Sequence, residues 1–313
     1  MSTSLPPQIR QRTVAKARTL LEALPFMRAH QGRTIVVKYG GAAMETAGLA
    51  ASFAEDISLL QSAGIRPVVV HGGGPMVTEM SARLGIETTF VDGLRVTDAA
   101  TLDVATMVLA GKLNTEVVGS LVTGGVNAVG LSGVDGRLLL AQKQSGPDLG
   151  FVGEVVHVRV DVLETLLARG FVPVVASIAV DEFGQAYNVN ADVVAAELSI
   201  ALGAQKLVYV NDVPGLIGPS GDLLSELSTS QADELLSASG VIEGGMIPKI
   251  ESAVRAVRAG VERVHLVDGR VEHAVVLELF TPEGIGTMLV PDATSGTHPA
   301  EPTGPPSTEV PAP

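Results

Sequence analysis

The sequence has no cysteine and no tryptophan, and aromatic residues make up only 3% of its 313 residues. Without cysteine, the protein has no disulfides, no thiolate nucleophile and no thiolate-bound zinc, and a reducing compartment is permitted. Because large aromatic side chains are scarce, the core must be built mainly from Val, Ala, Leu and Ile. The composition is otherwise that of a folded globular protein, with 46% hydrophobic and 18% charged residues.

Basic residues are also scarce, with 21 Lys and Arg against 34 Asp and Glu and a formal net charge of −13. Such a surface repels phosphate backbones, so we expect no nucleic-acid partner. No apolar run reaches the roughly 20 residues of a membrane span, and the basic N-terminal segment is not followed by the apolar run of a secretory signal. We therefore expect a cytoplasmic protein without a membrane partner.

Short Val-, Ile- and Leu-rich runs alternate with helical patterns along the chain. This alternation predicts an α/β fold, a three-layer α-β-α sandwich with a central, mainly parallel sheet. The predicted strands are residues 34–37, 67–70, 128–131, 172–176, 206–210 and 263–267. The predicted helices are residues 49–63, 76–84, 99–123, 162–169, 191–202, 231–237 and 247–259. Two further segments, residues 137–142 and 153–158, are typical of hairpin additions.

The two ends differ from this pattern. Residues 291–313 are rich in Pro, Ser and Thr, which is typical of a disordered tail. Residues 8–28 carry an apolar stripe at helical spacing, and Pro25 is expected to kink this helix. The stripe packs either on its own domain or on a neighbouring subunit. It consists of Val14, Ala17, Leu21, Leu24 and Met27.

Glycine-rich segments follow the first two predicted strands. The first strand ends in Lys38, followed by Gly40 and Gly41, and the second ends before Gly72–Gly74, which leads into a helix. Backbone N–H groups at such positions bind anions, and the ammonium of Lys38 adds a charge. A solvated lysine and a tight strand-to-helix turn are the alternatives. The spacing matches neither a dinucleotide fingerprint nor a P-loop.

Polar residues stand near three further predicted helix starts. Arg95 suits a bidentate carboxylate contact, although a solvated arginine explains it equally well. Asn188, Asn190 and Asp192 together exceed what one helix cap requires. Lys249 follows a glycine pair at a helix N-terminus, where a cation is unfavourable unless an anion offsets it.

Two lysines, glycine-rich turns and one acid suit phosphoryl transfer, which depends on positioning and on neutralising negative charge. A carboxylate acceptor is already ionised at neutral pH and needs no general base.

Six ordered motifs over residues 23–290 resemble the amino acid kinase (carbamate kinase-like) family, in the pattern of its N-acetyl-L-glutamate kinases. They are VVKYGG, VVHGGGP, DGLRVT, YNVNAD, VNDVPGL and GGMIPK. The resemblance implies the transfer of phosphate from ATP to the γ-carboxylate of N-acetyl-L-glutamate, in arginine biosynthesis. Mg²⁺ would be held mainly by the phosphates, so no metal-ligating residue is predicted.

The resemblance also implies residue roles. Lys38 and Lys249 would stabilise the transferring phosphoryl group, and Asp192 would hold both lysines at a junction that closes between two lobes. The acid would be bound by Gly73, Gly74, Arg95 and Asn188, with Arg95 on its α-carboxylate. The nucleotide site would include Gly40, Gly41, Asn211, Asp212, Val213, Pro214, Gly215, Leu216, Gly245 and Met246, within segments 211–216 and 241–246. The expected units are an N-terminal helix (1–30), an acid-binding lobe (31–180), an ATP-binding lobe (181–290) and the tail (291–313).

The N-terminal helix and residues 272–284 resemble the arginine-inhibited branch of the family. In that branch the helices join dimers into a hexameric ring, and L-arginine would be held by His265, Glu278 and the backbone near Gly284. Phe26 stands where the branch often has Tyr, which removes a hydroxyl contact and leaves the arginine affinity open. Alternatively, the helix packs only locally and His273 is a surface residue.

Other readings of the motifs stay open at this point. Another family enzyme would act on carbamate, glutamate, aspartate or UMP. A protein of a different class would be a non-catalytic nucleotide-binding regulator on the same fold. The presence of Lys38, Asp192 and Lys249 together favours a kinase, and the Arg95–Asn188 pair favours an acceptor with an α-carboxylate and an acetamido group.

Overall fold

A computed structural model gives the structure of the chain and describes residues 7–91, 94–218, 221–238, 242 and 244–292. The strands within these ranges are β1 (Thr34–Tyr39), β2 (Arg66–His71), β3 (Phe90–Val91), β4 (Leu94–Arg95), β5 (Ala128–Ser132), β6 (Leu139–Lys143), β7 (Gly153–Val158), β8 (Val172–Ala176), β9 (Ile178–Val180), β10 (Ala186–Asn188), β11 (Lys206–Asn211), β12 (Glu226–Ser228), β13 (Arg263–Asp268) and β14 (Thr287–Val290). The helices are α1 (Pro7–His30), α2 (Ala42–Glu45), α3 (Ala47–Ser62), α4 (Gly74–Arg83), α5 (Ala99–Thr106), α6 (Asn114–Thr123), α7 (Asp161–Ala168), α8 (Ala191–Ala201), α9 (Thr229–Ser237), α10 (Met246–Arg258) and α11 (Ala274–Phe280). A π-helical segment (Met107–Leu113) joins α5 to α6, and a 3-10 turn (Asp135–Arg137) precedes β6.

The central sheet contains eight strands in the order β12-β14-β13-β11-β1-β2-β8-β5. Six neighbouring strands, from β13 to β5, run parallel to one another. The strand β14 is antiparallel to β13, and β12 is parallel to β14. The middle strand β1 is buried on both faces, with Ile35, Val36 and Val37 all fully inaccessible. Burial of both faces explains the continuous apolar runs, because neither face needs polar residues.

Helices cover both faces of this sheet. Alternate residues of β1 belong to different cores, Val36 to one and Ile35 with Val37 to the other. The core containing Ile35 includes residues of α3, α6 and α11, and the core containing Val36 includes residues of α7, α8 and α10. The predicted three-layer sandwich with a mainly parallel sheet is therefore confirmed.

A second, four-stranded sheet has the order β10-β9-β6-β7. β6 and β7 pair antiparallel, as the hairpin prediction for this part of the chain required. Isolated bridges join Val152 to Asn188 and Thr97 to Gly150, which ties this sheet to the segments that carry the candidate substrate residues.

The six predicted strands and seven predicted helices are present, with one difference. The pattern over residues 99–123 predicts one helix, but the structure divides it into α5, the π-helical segment and α6. The periodicity missed α11, β14 and the three-residue strands β9, β10 and β12, because such short elements carry too few periods to be distinguished.

The N-terminal helix α1 both packs locally and projects outward. Phe26 is buried in the core beside α11, whereas Leu20 and Leu21 are 70% and 65% exposed. The helix continues through Pro25, and the bend predicted there stays a prediction. No helix among the described residues has the length and apolarity to cross a membrane.

Of the predicted disordered tail, only the first two residues are described. Asp292 accepts hydrogen bonds from the backbone N–H of Ser230 and the hydroxyl of Thr229, at the start of α9. Residues 293–313 lie outside the described residues. The division into lobes at residue 180 stays a prediction, and one sheet runs through both halves.

Two adjacent leucines on α3 test the packing of the layer. Leu60 is fully buried and Leu59 is 36% exposed. We expect Leu60→Ala to lower the free energy of unfolding by about 2–5 kcal/mol, because it removes buried methyl groups and leaves a cavity. Leu59→Ala is the matched control and should cost about 1 kcal/mol or less. Urea denaturation measures the free energy of unfolding of both variants. Equal losses of that free energy would contradict the assignment of Leu60 to the core and of Leu59 to the surface of α3.

Candidate active site

A cavity of about 850 Å³ lies at the carboxyl ends of the central strands, where ligands bind in open α/β sheets. The segments that reach it are those that follow β1, β2 and β10 and that begin α8 and α10. Of the predicted site residues, those that line this cavity are Lys38, Gly40, Gly41, Gly73, Gly74, Arg95, Asn188, Asp192 and Asp212.

A carboxylate shared by two ammonium groups forms the most charged part of the site. Oδ1 of Asp192 lies 3.1 Å from Nζ of Lys38, and its Oδ2 lies 2.7 Å from Nζ of Lys249. The three residues come from β1, the first turn of α8 and the first turn of α10. Lys249 is largely buried and contacts Asp192 of the cavity wall, and its neighbours Pro248 and Ser252 line the cavity. The structure thus brings together the three residues predicted to be catalytic.

Burial and charge act in opposite directions on this cluster. Burial lowers the pKa of Lys249 to about 8, the charge of Lys38 acts in the same direction, and Asp192 opposes both. Burial alone would raise the pKa of Asp192, but the two ammonium groups outweigh it and hold that pKa below its usual value. With both lysines protonated, the cluster carries one net positive charge and suits an anion.

Tyr209 on β11 supports the cluster and was not predicted from the sequence. It is fully buried, its hydroxyl donates to the backbone carbonyl of Asp192 at 3.1 Å, and it lies 2.9 Å from Oγ of Ser252. The hydroxyl of Ser252 in turn donates to the carbonyl of Lys249. These bonds fix the first turns of α8 and α10 relative to each other. The signal in the sequence was a polar aromatic residue within an otherwise aliphatic strand.

Asn188 and Asn190 both line the cavity, and Asn190 also caps a helix. Asn190 is the N-cap of α8 and accepts a hydrogen bond from the backbone of Asp192 at 2.7 Å. Asn188 ends β10, lines the cavity and lies 3.4 Å from the hydroxyl of Thr97. Only Asn190 is therefore accounted for by capping.

Arg95 is fixed at the cavity wall. Its Nη2 donates to the carbonyl of Gly74 at 2.8 Å and to the hydroxyl of Thr78 at 2.7 Å. The guanidinium also lies 4.8 Å from the ring centroid of Phe90, within cation–π distance. Its Nη1 is buried without a hydrogen-bond partner among the described residues. The side chain is thus ordered and is more than one solvated charge.

The predicted nucleotide residues fall into two groups. Gly40, Gly41 and Asp212 line the cavity, and Gly41, with φ of +67°, lies so close to Asp212 that a Cβ there would collide with the carboxylate. The side chain of Asn211 turns away and donates to the carbonyl of Tyr209. The other predicted residues lie outside the cavity lining, and their role stays a prediction. They are Val213, Pro214, Gly215, Leu216, Gly245 and Met246; Val241 and Glu243 of segment 241–246 fall outside the described residues.

The described residues fit a magnesium nucleotide without a dedicated metal cage. No group of three or more His, Asp or Glu side chains among them could hold a metal ion. Mg²⁺ is commonly bound by one or two carboxylates together with phosphates, and Asp212 supplies a carboxylate at the wall beside Lys38 and Gly41.

The residues predicted to bind arginine lie close together, away from the cavity. Nδ1 of His265 lies 2.6 Å from Oε1 of Glu278, and Oε2 of Glu278 accepts from the backbone of Ile285 and Gly286. Gly284 packs against the same carboxylate. Burial would raise the pKa of Glu278, but His265 and the backbone N–H groups of Ile285 and Gly286 together outweigh it and lower that pKa. These residues lie outside the cavity lining.

His273 is half exposed and also structural. Its Nδ1 lies 2.8 Å from Oδ1 of Asp56, whose Oδ2 accepts from the backbone of Val275 in the first turn of α11. The pair joins α3 to α11 and is more than an isolated surface residue.

Comparison with known proteins shows the family of this chain. Residues 33–268 match the model of the amino acid kinase family. The chain belongs to the amino acid kinase family. Similar relatives include the acetylglutamate kinases of Symbiobacterium thermophilum (50% identical over 290 residues, 90% of this chain and 99% of the relative) and Acidothermus cellulolyticus (53% over 287 residues, 88% and 97%). This similarity covers almost the whole length of those enzymes, so the chain is a kinase.

Solved structures support the fold. N-acetylglutamate synthase from Neisseria gonorrhoeae, complexed with coenzyme A and N-acetyl-glutamate, superposes with a TM-score of 0.79 at 28% identity. The match covers 89% of this kinase and 64% of the synthase, so the chain spans less than two thirds of that protein. Giardia lamblia carbamate kinase bound to AMP-PNP (TM-score 0.62, 16% identity, 83% of this chain and 99% of that chain) shows the shared fold alone.

The lowered pKa of Lys249 predicts how the activity of the enzyme depends on pH. Lys249 is predicted to stabilise the phosphoryl group, and only its protonated form can do so, so activity should be highest well below pH 8 and fall as the pH rises through that value. Above it, kcat/KM of this kinase should fall about tenfold per pH unit. The measurement is a profile of kcat/KM between pH 6 and 10.

Lys249→Arg is the matched variant for this profile, because a guanidinium stays protonated over the whole range. Its residual activity should lack the fall near pH 8. The same fall in both proteins would assign the titration to another group.

Proposed function

We propose that this kinase transfers the γ-phosphoryl group of ATP to the γ-carboxylate of N-acetyl-L-glutamate, giving N-acetyl-L-glutamyl 5-phosphate and ADP in arginine biosynthesis. The observation that carries the proposal is the Lys38–Asp192–Lys249 cluster at one end of a cavity that also contains Arg95 and Asn188. The acetylglutamate kinase relatives support the acceptor.

Repulsion between the carboxylate acceptor and the phosphates is the main barrier that the site must lower. Lys38, on β1, and Lys249, on α10, both contact the carboxylate of Asp192, so two ammonium groups lie in one cluster. In the proposed reaction they stabilise the negative charge of the transferring group, while Asp192 orients them. No side chain needs to remove a proton, because the acceptor is already ionised.

The two substrates would occupy different parts of the cavity. The ordered guanidinium of Arg95 binds the α-carboxylate of the acid, and Asn188 with Gly73 and Gly74 binds the rest of it. Gly40, Gly41 and Asp212 contact the nucleotide phosphates and their Mg²⁺, which neutralises part of the phosphate charge.

The acceptor can be identified by measuring ADP release. Purified enzyme with ATP and Mg²⁺ is assayed with N-acetyl-L-glutamate, glutamate, aspartate, carbamate and UMP. We expect turnover with N-acetyl-L-glutamate at least tenfold above that with the others. Turnover with free glutamate but none with the N-acetyl form would reject the proposed acceptor, and no turnover with any of them would favour a non-catalytic regulator.

Removing one lysine tests the proposed chemistry. We expect Lys249→Ala to lower kcat about 100- to 1000-fold with a small change in KM for ATP, because its ammonium acts mainly on the transition state. Lys16→Ala, which removes an exposed lysine of α1, is the control and should leave kcat unchanged. A near-normal kcat for Lys249→Ala would place the chemistry elsewhere.

We further propose that the enzyme is a homo-oligomer in the cytoplasm, a hexamer built as a trimer of dimers joined through α1, and that L-arginine inhibits it. Leu20 and Leu21 expose an apolar surface on α1 that a neighbouring copy would cover. Phe26 connects α1 to α11, and α11 carries Glu278 of the proposed arginine site. In support, a related structure is that of the Neisseria synthase complexed with coenzyme A and L-arginine (TM-score 0.75, 27% identity, 88% of this chain and 66% of that chain).

The double variant Leu20→Asp with Leu21→Asp tests both parts of this proposal. Charges on the apolar surface should reduce the solution mass from hexamer to dimer and weaken arginine inhibition at least tenfold, with little change in the uninhibited rate. Phe183→Asp, at a 94% exposed aromatic residue, is the control and should change neither quantity. Light scattering and inhibition curves give the results, and an unchanged mass would exclude α1 as the contact.

A further inference from the structure

The glycine loop Gly72–Gly74 is held by hydrogen bonds to each of its three backbone carbonyls. The carbonyl of Gly72 lies 2.9 Å from Nδ1 of His71, and the carbonyl of Gly73 accepts from the backbone N–H of Val77 at 3.0 Å. The carbonyl of Gly74 accepts from Arg95. Each of the three carbonyls therefore has a protein donor, so none needs to face the cavity, where it would repel an anion.

His71 acts on this loop in a defined protonation state. It is fully buried, and its Nε2 lies 3.0 Å from Nδ2 of Asn114. A carbonyl can only accept, so Nδ1 carries the proton; an amide NH₂ can only donate, so Nε2 is the acceptor. Burial lowers the pKa of His71 and outweighs the contact with Gly72, which keeps the ring neutral.

Asn114 is itself fixed on two sides. Its Nδ2 also donates to the carbonyl of Val174 at 3.0 Å, which uses both amide protons and fixes the orientation of the amide. Its Oδ1 packs against Gly130, where a Cβ would lie only 2.0 Å away. The amide is thus clamped between the strands β5 and β8 and can hold the imidazole in one position.

The π-helical segment brings these groups to the loop. Asn114 follows it directly, and two leucines within it pack against Gly73. A Cβ on Gly73, whose φ is +152°, would lie 2.4 Å from Leu113 and 2.8 Å from Leu109. A π-helical turn inserts a residue relative to an α-helix, and such turns are frequent at functional sites.

We propose that His71, oriented by Asn114 and seated by the π-helical segment, is a positioning residue that turns the backbone of Gly72–Gly74 so that its N–H groups face the transferring phosphoryl group. This inference rests on the proposed function of the loop as an anion site. His71 touches neither substrate and acts only through the carbonyl of Gly72.

The matched variants His71→Asn and His71→Leu separate positioning from packing. The amide nitrogen of Asn can occupy the place of Nδ1 and donate to the carbonyl of Gly72. Leu is similar in shape to Asn but has no donor. We expect His71→Leu to lower kcat about 10- to 100-fold with less than a threefold change in either KM, since a small displacement of an oriented group has effects of this size. His71→Asn should recover kcat to within about fivefold of the original enzyme.

The kcat values of the variants and of the unmodified enzyme are measured with the acceptor that the unmodified enzyme turns over. If the proposed acceptor is wrong, the assay of the unmodified enzyme shows it, and the comparison between the variants is still valid. Equal losses of kcat in both variants, with unchanged melting temperatures, would overturn the inference. A kcat for His71→Leu within twofold of the original would do so as well.

A measurement on the unmodified chain covers the case in which His71→Leu does not fold. The chain contains six histidines, so selective ¹⁵N labelling gives a small set of imidazole signals, and loss of one in His71→Asn assigns His71. We expect the neutral Nδ1–H tautomer at pH 7. An Nε2–H tautomer or a protonated ring would show that His71 does not donate to Gly72 as inferred.

Discussion

One carboxylate, that of Asp192, holds together the two halves of the site. Without it, the ammonium groups of Lys38 and Lys249 would face each other inside the protein, and the charge of Lys38 already lowers the pKa of Lys249. With it, the cluster keeps one net positive charge in a largely buried place. Breaking a buried pair by removing one partner typically costs about 3–5 kcal/mol, so the arrangement is sensitive to this single residue.

In the proposed reaction, the site combines two different ways of binding negative charge. Lysine side chains provide charge that depends on pH, whereas backbone N–H groups of the glycine loop provide dipoles that do not titrate. The backbone N–H groups can bind an anion only if the peptide backbone is correctly oriented. The contacts of Arg95, Val77 and His71 with the carbonyls of the glycine loop supply that orientation. Both kinds are needed where charge is spread over several phosphate oxygens.

The sequence predicted the layers, and which residues lie together at the cavity, much better than the contacts that support them. Apolar runs such as that of β1 are local patterns, and glycines next to Lys38 or Lys249 are visible as neighbours in the chain. The role of Tyr209 depends on hydrogen bonds to Asp192 and Ser252, which lie 17 and 43 residues away in the chain, and no local pattern contains these contacts. The π-helical segment was missed for another reason, because its apolar spacing differs from that of an α-helix by one residue.

The pairing of β1 with β11 has a mechanical consequence for any movement of one half of the molecule against the other. Lys38 and Tyr209 are register partners in adjacent parallel strands, so continuous backbone hydrogen bonds cross the boundary between the two predicted lobes. A flexible linker would allow a free hinge, whereas a bonded sheet accommodates motion only by changing its twist. Small changes of twist at this junction would therefore change the distance between Lys38 and Lys249 directly, and large openings would require breaking the central strands apart.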